Sequence, residues 1–165
     1  MAIRSTQKNM LAILTASAIA SVSVEAKSQA LTSYILSGEC HSLTLAKYDF
    51  TQGCEPKLIN IVHKDGRTGF YFTVRTGPVI TFSGKAPQSK VGTDSAIQPI
   101  DRLIWNFGSG VAPIVMPATG ECKFTNPFKG RAWIACRART KDGESVGEFE
   151  TNGARPTAQE FRDGA

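Results

Sequence analysis

The chain is poor in the residues that make an active site legible. Its 165 residues include only two histidines, His41 and His63, and four cysteines. The Gly-x-Ser-x-Gly elbow that would expose a serine nucleophile is absent, and Gly108-Ser109-Gly110 lacks its spacing. Gly84-Lys85-Ala86 is not a phosphate-cradling loop. Val79 stands where the first glycine is needed, and no Ser or Thr follows the lysine. Cys40, His41, Cys54 and His63 lack the paired-cysteine spacing of a structural zinc site. Acids such as Asp94 and Asp101 are present, but nothing in their spacing singles out a catalytic pair. No catalytic residue, metal or cofactor is assigned, and the sequence speaks more for a binding protein than for an enzyme.

Long apolar runs are equally scarce. The segment MLAILTASAIASVSV, Met10 to Val24, follows Arg4 and Lys8 and leads into the small-x-small site Val24-Glu25-Ala26. Rich in Ser, Thr and Ala, it falls short of the ~20 strongly apolar residues of a membrane span. It reads as a signal peptide over residues 1–26. Residues 27–165 are then expected to form a single domain with no membrane span, in a periplasmic or secreted protein. The net charge of +5 fits weak attraction to an anionic envelope polymer. An envelope protein is the other partner expected; nucleic acid is not indicated.

Export changes the meaning of the cysteines. An even number in an oxidising compartment reads as disulfides. Four cysteines allow three connectivities, but Gly-Glu-Cys occurs at Gly38 and again at Gly120, each time with the next cysteine the same distance on. The repeated spacing favours Cys40 with Cys54 and Cys122 with Cys136. Each loop of ~15 residues would stabilise the fold by roughly 3 kcal/mol through the entropy of the unfolded chain.

No segment sustains a helical apolar period. Short β-branched and aromatic runs recur instead: Leu58–Val62, Phe70–Val74, Val79–Phe82, Leu103–Phe107, Val111–Met116 and Ala132–Arg139. Turn signals separate them, which predicts an all-β fold: a single antiparallel sandwich or small barrel built from hairpins and stapled by two disulfides. Gly84–Pro99 is polar and reads as an irregular loop, with room for a short helical turn within Thr93–Gln98. A polar tail is expected from about residue 152.

Two Asp-Gly signals, in Lys64–Arg67 and Lys141–Glu144, predict two-residue hairpin turns. The first pairs Ile61 with Phe70 and Ile59 with Phe72 on a core face. The second pairs Cys136 with Phe149 and Arg137 with Glu148. Stretches of about 38–76 and 120–153 thus share an order of features that would suit an ancestral duplication.

If Cys122 and Cys136 are cross-strand partners, their hairpin centres on Lys129 and turns through Asn126–Gly130. Phe124 and Ile134 then face the core beside the cysteines, and Arg131, Trp133, Arg137 and Arg139 face outward. Glu121 and Glu148 flank Arg137, so much of this basic stripe is neutralised by its own sheet. Trp133, flanked by Thr125 and Asn152 in this register, lacks apolar cover. Phe128 stands at the tip of a stapled turn. Phe128, Lys129, Arg131 and Trp133 are therefore the candidate binding residues. The expected function is a binding or accessory module of the bacterial cell envelope, including the inhibitor type that presents a rigid turn. The alternatives are a small envelope hydrolase with dispersed catalytic residues and a structural protein that assembles through sheet edges.

Overall fold

Strand-forming runs joined by tight turns can lie flat or curl until the first strand meets the last. Here they curl. The computed structural model describes residues 31–85, 89–90, 94–108 and 110–161. The strands are β1 (Leu31–Leu45), β2 (Tyr48–Asp49), β3 (Cys54–Val62), β4 (Arg67–Val74), β5 (Val79–Lys85), β6 (Ser89–Lys90), β7 (Ser95–Asn106), β8 (Ile114–Thr125), β9 (Trp133–Thr140), β10 (Gly143–Thr151) and β11 (Thr157–Phe161). Eight of them form a closed antiparallel barrel in the order β1-β3-β4-β5-β7-β8-β9-β10, and β10 pairs back onto β1. The shorter β2 and β11 pair with β1, and β6 pairs with β7. Among the described residues there is no α-helix. Residues 1–26, read from the sequence as a signal peptide, lie outside the described residues.

Closure depends on the length of β1. Its first half, Thr32–Ser37, pairs with β3, and its second half, Gly38–Leu45, pairs with β10. A register shift between Cys40 and Ser42 lets the strand bend from one neighbour to the other. A second shift, between Ile100 and Arg102, bends β7 against β8. Both expected disulfides are present. Cys122 and Cys136 are direct cross-strand partners in β8 and β9. Cys40–Cys54 joins β1 to the start of β3. The pair points to an oxidising, non-cytoplasmic compartment. No helix among the described residues is long and apolar enough to cross a membrane.

The interior is filled at mid-height. Phe72, Phe82 and Phe149 are fully buried with Leu43, Leu58, Ile80 and Leu103. Each contributes about 1.5–3 kcal/mol by leaving water. Phe72 and Phe82 meet edge to face at 5.7 Å. An eight-stranded barrel is only just wide enough for such side chains, so something opposite them must be small. Gly147 on β10 is that residue: a Cβ there would lie 2.7 Å from the Phe72 ring and 2.9 Å from Phe82.

Several expectations require correction. In the first hairpin Ile61 lies opposite Gly69 and Ile59 opposite Tyr71, while Phe72 faces Leu58. The turn loop is Lys64-Asp65-Gly66, closed by His63 N–H donating to the Arg67 carbonyl at 2.8 Å, with Gly66 at φ 81. Gly66 fits the left-handed position that ends a three-residue hairpin loop. That single added loop residue turns Ile59 and Ile61 away from the core and leaves Leu58 inside. The second hairpin turns through Lys141-Asp142, so Cys136 faces Gly147 and Ile134 faces Phe149. This register is displaced by two residues from the expected one, and every side chain keeps its face. Gln98 and its neighbours belong to β7 rather than to a helical turn. Gly84 and Lys85 extend β5, and Val111–Pro113 precede β8. Part of the expected polar tail is β11, paired with the start of β1.

Replacing Gly147 with Ala should lower unfolding stability by about 1–3 kcal/mol in urea denaturation, because the added methyl has nowhere to go. Trimming Phe72 to Leu in the same chain should return part of that loss. A Gly147→Ala protein as stable as the parent would contradict this packing.

Candidate functional site

A closed barrel meets solvent through its walls and its two ends, and the ends differ. At the end that carries the Ala46–Lys47 and Arg75–Pro78 turns, aromatic side chains form a plug. Trp105 lies 5.9 Å from Phe50, 5.4 Å from Tyr48 and 4.5 Å from Phe107. Phe50 and Trp105 pack directly against the core.

The opposite end is open. A cavity of about 730 Å³ enters the barrel there. Tyr34 and Leu36 of β1, Phe70 of β4, Phe124 of β8 and Ile134 of β9 form its apolar wall, with Ala96 of β7 among them. Phe70 and Phe124 pack edge to face at 5.2 Å. Polar groups are few. Asn60 donates from Nδ2 to the Gly69 carbonyl at 3.1 Å. Ser95, Thr125 and Asn126 lie toward the rim, and Asp94 is the only charged residue among those described in the lining. No histidine is among these lining residues.

The turn Asn126–Gly130 stands over this opening. Asn126 Oδ1 accepts the Phe128 N–H at 2.9 Å, and Pro127 opens the 3₁₀ turn that follows. These local bonds aim Phe128 back over the barrel, where its ring meets Tyr34 edge to face at 5.5 Å. It remains 45% exposed, so it is a partial roof. Two contacts tie the turn to Asp94, just before β7. The Asn126 N–H donates to the Asp94 carbonyl at 2.8 Å, and the Lys129 ammonium pairs with the Asp94 carboxylate.

Beside the opening, polar bonds hold β4, β5 and β7 together. Buried Thr68 donates from its hydroxyl to Gln98 Oε1, and Gln98 Nε2 and Ser83 Oγ each donate to the Thr68 carbonyl at 3.3 Å. Arg67 reaches Ser83 Oγ at 3.4 Å and grips both oxygens of Asp101, at 2.8 and 3.0 Å. Those hydrogen bonds, with a further one from Arg102, hold the Asp101 carboxyl below its ordinary range.

The four candidate binding residues separate into two groups. Phe128 and Lys129 belong to the rim. Arg131 and Trp133 lie on the outer wall. The His41 ring stacks on Trp133 at 4.9 Å, yet the indole remains 40% exposed. His41 Nε2 is 3.4 Å from Glu150, whose other oxygen accepts from Arg131 at 3.1 Å. Trp133 lies opposite Glu150, not Asn152, and its N–H donates to Thr125 Oγ1 at 3.0 Å. Arg137 pairs with Glu148 at 2.9 Å, while Glu121, opposite it in register, turns to Lys123 at 2.8 Å. No group of three or more His, Cys, Asp or Glu among the described residues could hold a metal ion.

Sequence reasoning missed most of the cavity. Phe70 and Phe124 read as core because alternation distinguishes inside from outside but cannot reveal where the inside is empty. Asp94 and Asn60 carried no local signal. No protein-family model matches the chain, and no curated protein or solved structure matches it.

The Asp101 contacts set a pH dependence. A carboxyl with a lowered folded pKa adds stability above its unfolded value and loses it as pH falls through the folded one. Asp101→Asn should therefore lower the melting temperature slightly at neutral pH, since an exposed pair contributes at most ~1 kcal/mol. It should also flatten the fall in melting temperature below about pH 4. Parallel profiles for the two proteins would show that this pair does not contribute.

Proposed function

We propose that the chain is an exported binding protein of the bacterial cell envelope, periplasmic or secreted after loss of residues 1–26. Its ligand is a small, largely apolar molecule that enters the open end of the barrel. The observation that carries this reading is the cavity of about 730 Å³ walled by Tyr34, Leu36, Phe70, Phe124 and Ile134. Its size falls within the roughly 300–1,000 Å³ of small-molecule sites, and so does its character, apolar walls with a few polar groups at the rim. The two disulfides favour an oxidising destination. An inhibitor that presents Phe128 to a partner has less support, because that ring packs back onto Tyr34. A hydrolase has less still, because the described lining offers one carboxylate and no histidine.

The neutral fluorophore N-phenyl-1-naphthylamine serves as a probe. It should bind saturably, one per chain, with a Kd on the order of micromolar. Ala96→Trp, which places an indole in the cavity, should weaken binding at least about tenfold. Its melting curve reports whether the barrel is intact. Unsaturable binding, or equal affinity in a folded Ala96→Trp protein, would overturn the assignment.

A further inference from the structure

The rim already holds an ammonium ion against a carboxylate. Asp94 is the only charged residue among the described lining of the cavity, and the Lys129 ammonium, reaching it from the turn above, is its partner. Both side chains are more than half exposed, at 58% for Lys129 and 64% for Asp94. An exposed pair on a flexible stem contributes little, so an incoming cation can replace Lys129 at small cost. Tyr34, Phe70, Phe124 and Phe128 place four aromatic rings around the cavity, apolar surface for a tail.

Resting on the cavity reading above, we propose that the site selects amines with an apolar tail. The tail occupies the aromatic interior, and the ammonium takes the place of Lys129 on Asp94. The opposite choice, an anionic head captured by Lys129, requires that lysine to leave the only carboxylate it touches among the described residues. It would also bring a second negative charge close to Asp94. The net charge, +5 for the full chain and +4 without residues 1–26 (which hold Arg4, Lys8 and Glu25), repels a cation at long range. At physiological ionic strength that repulsion is screened beyond about 8 Å, so the contact with Asp94 decides.

Decylamine, decanol and decanoate share one tail and differ in head charge, and each can be titrated as a competitor of the neutral fluorophore at pH 7. Decylamine should bind about fivefold more tightly than decanol, near the upper end for an exposed ion pair. Asp94→Asn should erase that difference, whereas Asp94→Glu should keep it. Lys129→Ala should raise the preference for decylamine over decanol. Equal affinity for amine and alcohol, or tighter decanoate that weakens in Lys129→Ala, would overturn the charge selectivity while leaving the cavity as the site. If none of the three displaces the fluorophore and the fluorophore itself does not saturate, both proposals fall.

Discussion

The pairing of β1 with β10 is the contact on which the rest depends. It runs from Gly38 opposite Thr151 to Leu45 opposite Ser145, and it converts a meander of hairpins into a closed wall. Closure removes the open edges of the main sheet and creates an inside. With eight strands that inside has little room: Phe72, Phe82 and Phe149 fill its middle, and Phe72 and Phe82 fit only because Gly147 gives way to them. What remains to be decided is what happens at the ends. Tyr48, Phe50, Trp105 and Phe107 close one, and the other is left as a cavity under a single turn.

Much of the fold was legible in the sequence. Short β-branched runs, the lack of a helical period and paired cysteines led to a disulfide-stapled antiparallel fold, and both disulfides join the expected partners. The Cys122–Cys136 hairpin keeps its expected register, with Phe124 opposite Ile134. The other two hairpins fail in instructive ways. A two-residue displacement at Lys141-Asp142 left every face correct, while a one-residue displacement at Lys64-Asp65-Gly66 exchanged Ile59 and Ile61 for Leu58. Face assignment depends on the parity of the turn, and an Asp-Gly pair alone does not fix it. The choice of barrel over sandwich was not legible either. It rests on β1 meeting β10, a contact between chain segments about a hundred residues apart.

The candidate site was legible only at its rim. Phe128 and Lys129 drew attention because they stand in a stapled turn. Their neighbours in space are Tyr34 of β1 and Asp94, just before β7, and no local pattern joins them. Trp133 drew attention for the opposite reason, as an aromatic residue on a charged face, and it proves to be exposed with the His41 ring stacked on it. Much of the outer stripe then resolves into pairs, Arg131 with Glu150, Arg137 with Glu148 and Lys123 with Glu121, while Arg139 lies opposite Glu144 in register. Pairs of this kind leave little unbalanced charge for an anionic partner. Space, rather than charge, is the feature that sets one part of this molecule apart from the rest.

An amide-resolved NMR titration of the whole protein with the neutral fluorophore tests this account most directly. The account predicts that shifts concentrate at Leu36, Phe70, Ala96, Phe124 and Phe128, the residues that surround the open end. Shifts confined to the outer wall around His41 and Trp133, or to the aromatic plug around Trp105, with the cavity residues unmoved, would contradict it.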